Sequence, residues 1–149
     1  MSTSSLRAGR APVTLRVLDA APRPGPWLVS FATLRQQVQP RGGPTRSVAL
    51  PIAGAEGGGK LRLEVTGPSG ELLASAQYDP AALRAGSWLV QELARPVASG
   101  TPLTVELTMI GPGRVAPWVT ATDVDPGTLT VNGRPQPGDL VVLGLATAP

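Results

Sequence analysis

Glycine and proline interrupt this chain so often that it cannot carry a long helix. There are 18 Gly and 17 Pro among 149 residues, and they leave only short uninterrupted pieces. Within those pieces apolar and polar residues alternate with a period of two, the mark of half-buried strands. In "KLRLEV", Leu61, Leu63 and Val65 fall on one face and Lys60, Arg62 and Glu64 on the other. In "PLTVELTM", Leu103, Val105, Leu107 and Met109 oppose Thr104, Glu106 and Thr108. In "SVALPI", Val48, Leu50 and Ile52 share a face and Pro51 lies on the other. Proline cannot donate to a ladder, so Pro51 predicts a strand edge or end. Further strands are expected at residues 13–18, 27–34, 71–77, 87–94, 115–122, 128–132 and 139–145, about ten in all.

The punctuation between these runs is turn chemistry. "TGPSGE" at 66–71 predicts a hairpin joining 60–66 to 71–77. Asn132-Gly133 is a strong turn signal because both residues accept positive φ, and Pro135, Pro137 and Gly138 extend the connection. "DPAALRAG" at 79–86 is the one plausible helical turn. Many short strands with turns every 8–12 residues or so predict an all-β sandwich or barrel. The length suits one domain, read as residues 13–149 behind a polar arm at 1–12. The run 139–145 is apolar on both faces, with Val141, Leu143 and Leu145 opposite Leu140 and Val142. Such a strand is buried on both faces, covered by the N-terminal segment or by another subunit.

The residues that are missing narrow the chemistry. The chain has no Cys, hence no disulfide, thiolate or zinc–cysteine site. It has no His, which removes the commonest general base and the commonest metal ligand. Serines therefore lack a partner base, and the ten acids are scattered; no enzyme and no cofactor are expected. The net charge is only +3, although the isoelectric point is 10.6 because twelve of the thirteen basic residues are Arg. Those arginines do not cluster and aromatics are few, so nucleic acid is not an expected partner. No apolar stretch approaches the roughly 18–20 residues that span a bilayer, and "MSTSSLRAGRAP" has no apolar core of a signal peptide.

Candidate site residues are chosen by strand phase. Trp27 shares a face with Val29 and Phe31 and is expected in the core. Trp88 runs in phase with Val90 and Glu92, in the core or at its rim. Trp118 is in phase with Thr120 and is expected to face outward; with Arg114 it forms the candidate ligand-binding or interface surface, Trp118, Arg114 and Thr120. Asp123 and Asp125 in "TDVDPG" are oxygen ligands of the kind calcium takes. Two acids are too few, and Asp125-Pro126-Gly127 reads as a turn, so no metal is expected.

The order "LRLEVTGPSGELLASAQYDPAALRAGSWLVQELARPVASGTPLTVELT" followed by "DVDPGTLTVNGRPQPGDLVVL" resembles galactose-binding-like jelly-roll modules. More narrowly, it resembles the β-sandwich appended to bacterial cell-surface glycosyltransferase-type and polysaccharide-related proteins. There a hairpin with G-x-L-L-A precedes an A-A-L turn, a Trp strand, a P-V-x-S-G turn and a closing D-P-G-x-L-x-V-N-G element. The resemblance covers about residues 60–143. It implies a jelly-roll sandwich, a non-catalytic binding or accessory role at a cell surface, and a polysaccharide or other glycan as partner. The residues alone support a second class, a structural assembly protein such as a virion decoration or extracellular filament subunit. It would self-associate through the Ser/Thr-rich N-terminal arm or the apolar C-terminal strand.

Overall fold

The computed structural model describes residues 22–40, 44–120 and 127–146. They form an all-β sandwich of two antiparallel sheets, consistent with a jelly roll. The strands are β1 (Arg23–Pro24), β2 (Thr33–Val38), β3 (Thr45–Glu56), β4 (Lys60–Thr66), β5 (Leu72–Tyr78), β6 (Trp88–Val97), β7 (Leu103–Ile110), β8 (Arg114–Val119), β9 (Thr130–Val131), β10 (Arg134–Pro135) and β11 (Leu143–Leu145). One sheet runs β1-β8-β3-β11, with β6 also paired to β3; the other runs β10-β9-β2-β7-β4-β5.

The alternating runs lie as their periodicity predicts. Leu61, Leu63 and Val65 on β4, Leu103, Val105, Leu107 and Met109 on β7, and Val48, Leu50 and Ile52 on β3 are all fully buried between the sheets. Each such side chain contributes about 1.5–3 kcal/mol by leaving water. The predicted hairpin is β4–β5, closed by the Gly67 N–H donating to Glu71 O at 2.8 Å with Gly70 at φ 83°. The predicted helical turn is a short 3-10 helix, Pro80–Ala82, whose Ala81 N–H donates to Asp79 Oδ1 at 3.1 Å.

Pro51 sits inside a strand rather than at its edge or end. Ile52 donates its N–H to Ser87 O and accepts from Gly86 N–H. Alternation therefore turns the Pro51 nitrogen away from β6. On that side β11 pairs with residues 47–49 and β8 begins at Ile52. The missing donor falls in the gap between two ladders, where it costs no hydrogen bond.

The N-terminal expectation also changes. Residues 27–34 are not one strand. Leu28 bridges Val115, a turn closes from Ala32 N–H to Val29 O at 2.8 Å, and only then does β2 begin. Leu28, not Trp27, enters the core, so the faces assigned to this segment are exchanged. The expected strand at 13–18 lies outside the described residues. Asn132 and Gly133, at φ 52° and 80°, make a two-residue turn, but between the short β9 and β10 rather than into 139–145. The doubly apolar run divides its faces: Leu140 joins the main core, and Leu143 and Leu145 pack with Ala49, Trp88 and Val90 in a second cluster. By alternation with Val48, Leu50 and Leu89, that cluster stands on the outer side of its sheet.

A buried polar network explains the Asp that follows Gly138. Gln36 Nε2 donates to Asp139 Oδ1 at 2.7 Å and to Gly127 O at 3.0 Å, and Gln36 Oε1 accepts from Leu140 N–H at 2.6 Å. Thr120 Oγ1 accepts from Asp139 N–H at 3.2 Å, and Thr120 N–H donates to Asp139 O at 2.8 Å. Buried polar groups are tolerated when satisfied in this way.

Candidate binding surface

The site is built where the chain crosses between sheets. β3 passes to β4 through Gly57-Gly58-Gly59, and β7 passes to β8 through Gly111-Pro112-Gly113. The two crossings lie backbone against backbone. A Cβ at Gly59, whose φ is +86°, would sit 2.3 Å from Ile110 O. A Cβ at Gly113 would sit 2.2 Å from Gly58 O. Beside them the chain from β1 rises along β8, with Gly25 N–H donating to Pro117 O at 2.7 Å and Leu28 N–H to Val115 O at 2.7 Å.

With Leu28 inward, Trp27 is set on the outer face at 42% exposure. Its indole lies against the backbone of Gly54, where a Cβ would meet Trp27 Cη2 at 2.8 Å. The Arg114 guanidinium carbon lies 4.3 Å from the ring centroid, a cation–π contact. Arg114 is held there by Glu56, with Nε and Nη2 each 3.1 Å from Glu56 Oε1. Val29 and Phe31 follow at 52% and 71% exposure. Phe31 has φ 64° at the third position of the Val29–Ala32 turn, where a type II turn ordinarily takes Gly. Its N–H donates to Met109 O at 2.6 Å, which fixes the turn on β7.

The expected site residues are distributed differently. Arg114 is exposed and forms part of this surface. Trp118 stands on the same outer face of β8 but is half-buried, opposite Pro24 of β1. Thr120 is buried and holds Asp139. Asp123 and Asp125 lie outside the described residues, and among the described residues no cluster of three His, Cys, Asp or Glu side chains could hold a metal. Trp27 and Phe31 are the contributors that strand phase misassigned. The signal for them was present: the alternation Leu28, Ala32, Leu34 continues through β2 to Val38, and following it further would have turned Trp27 outward.

Compared with known proteins, the chain matches no family model, no curated protein and no solved structure. Among the described residues no helix is long and apolar enough to cross a membrane.

Proposed function

We propose that this chain is a non-catalytic binding or accessory module at a cell surface, that the Trp27–Val29–Phe31 ledge with Arg114 and Glu56 is its contact surface, and that carbohydrate is its ligand class. The observation that carries the reading is Phe31. A large apolar side chain is left mostly in water on a backbone conformation that costs a non-glycine residue about 1–2 kcal/mol. Among the described residues neither cost is recovered by packing, which fits a ring that is covered by something else. An aromatic face accepts the C–H groups of a sugar ring, and a neighbouring guanidinium–carboxylate pair can bond its hydroxyls. The galactose-binding-like resemblance over residues 60–143 supports the same ligand class.

The alternative, a structural assembly protein, would use the same aromatics as anchors in a neighbouring subunit. Affinity electrophoresis in polysaccharide gels, with light scattering on the same samples, separates the two. Retardation of the wild type that is lost in Phe31→Ala and Trp27→Ala, at unchanged mass, is the expected result. An unretarded wild type whose mass falls on either substitution would establish assembly instead. No retardation and no change of mass would remove function from the ledge.

A further inference from the structure

The sheet that contains β3 is buried on both of its faces. On β3, residues 47–52 are buried without a break. Val48, Leu50 and Ile52 belong to the main core, so by alternation Ser47, Ala49 and Pro51 are hidden on the outer side. Beside them Trp88, Val90, Leu143 and Leu145 are buried as well. Trp27 stands on the same outer face and is exposed. A sheet face open to water would leave Trp88 in the same state, so something lies over it. Every described strand belongs to one of the two sheets, and the 3-10 helix is followed by Leu83, which enters the main core. The cover therefore comes from chain outside the described residues. It belongs to the same molecule, because the cluster is hidden within a single copy.

Four stretches of sequence remain to supply that cover. Residues 41–43 are RGG, 121–126 are ATDVDP and 147–149 are TAP, and none of these can lay down an apolar face. The fourth, residues 1–21, contains the alternating run VTLRVL at 13–18. We propose that residues 13–18 form a strap across the outer face of this sheet, with Val13, Leu15 and Val17 set on the Trp88 cluster and Thr14 and Arg16 turned to water. The tether is long enough. β1 pairs with β8 at Arg23↔Val119, at the rim of the same sheet. From there to β6 is three strand spacings, about 14 Å. Residues 18–22, extended, span about 17 Å. Without the strap the chain would offer two apolar surfaces, the Trp27 ledge and the Trp88 face. With it only the ledge is open.

The chain has no Cys, so single Cys substitutions along the strap in the full chain report accessibility through alkylation of the folded protein. Val13→Cys, Leu15→Cys and Val17→Cys should react at least about tenfold more slowly than Thr14→Cys and Arg16→Cys. The rates should not depend on protein concentration. The face beneath is read from Trp88 fluorescence in a Trp27→Phe, Trp118→Phe background, where it is the one indole left. Adding Leu15→Asp should raise acrylamide quenching of Trp88 several-fold with an unchanged far-UV spectrum. If that background fails to fold, a nuclear Overhauser contact between the Leu15 methyls and the Trp88 indole in the wild type is the equivalent result. Fast alkylation at all five positions overturns the proposal. Protection that appears only at high concentration also does, and would make a second copy the cover. So does Trp88 quenching that Leu15→Asp leaves unchanged or, in the wild type, the lack of the Leu15–Trp88 contact.

Discussion

On the outside of the sheet containing β2, β7 and β4, Arg35 lies 3.7 Å from Glu106, Arg62 lies 4.0 Å from Glu64, and Thr33 and Thr108 share a hydroxyl bond of 3.0 Å. On the outside of the other sheet stand all three tryptophans of the chain, together with Ala49, Val90, Leu143 and Leu145. One sheet has a single core face and a wet face. The other has apolar residues on both sides, and its outer face divides into a buried cluster around Trp88 and an exposed ledge around Trp27. A side chain that points away from the sandwich interior therefore means different things on the two sheets. On the first it is solvated charge worth little; on the second it is either a second core or a contact surface.

The sharpest way to break that contrast is to truncate matching outward positions. Trp88 is only 6% exposed, and Trp88→Ala should cost about 3–5 kcal/mol in urea denaturation, as aromatic core truncations do. A loss below about 1 kcal/mol would mean that the outer cluster is not a core at all.

A second measurement tests the corner where the sheets meet. Burial raises the Tyr78 hydroxyl from its ordinary value of 10.0 to about 12. The folded state holds this proton more tightly than the unfolded chain, so its stabilising contribution is whole below pH 10 and is lost as pH rises through about 12. Stability should fall by about 2–3 kcal/mol across that window, and Tyr78→Phe should lose less over the same interval. Equal slopes in the two proteins would show that the phenol is not closing this corner.

Phe31→Gly sharpens the distinction within the tryptophan-bearing sheet. It should stabilise the chain by about 1 kcal/mol, by relieving the left-handed backbone while giving up a ring that is mostly in water. Trp88 and Phe31 would then respond with opposite signs. Destabilisation by Phe31→Gly would instead show that the ring packs within the monomer. The smallest effect belongs to the polar sheet: Arg62→Ala should change the unfolding free energy by no more than about 0.5 kcal/mol.

The same contrast explains what could be read from sequence. On β4 and β7 one face is apolar and one polar, so period two fixed both the strand and its phase, and Leu63 and Leu107 lie where expected. Around Trp27 both phases offer apolar residues, and the turn at Phe31 breaks the period without a glycine to announce it. Arg114 could be assigned by phase, but its partners come from elsewhere in the chain, Trp27 from the segment after β1 and Glu56 from the end of β3. Thr120 looked like an outward neighbour of Trp118. It is instead drawn inward by Asp139, a contact that no local pattern encodes.

Gln36 spans still longer distances, bonding Gly127, Asp139 and Leu140, with sequence separations of 91, 103 and 104 residues. During synthesis, β2 is made early and its amide has no partner but water until the closing hairpin has emerged from the ribosome. Burying Gln36 before then would strand a polar group in the core at a cost of about 1–3 kcal/mol. The network therefore adds to the stability of β2 only once residues 127–140 are in place. The contacts of β4, β5 and β7 with one another need nothing beyond residue 110, whereas the polar contacts of Gln36 on β2 need residues 127–140.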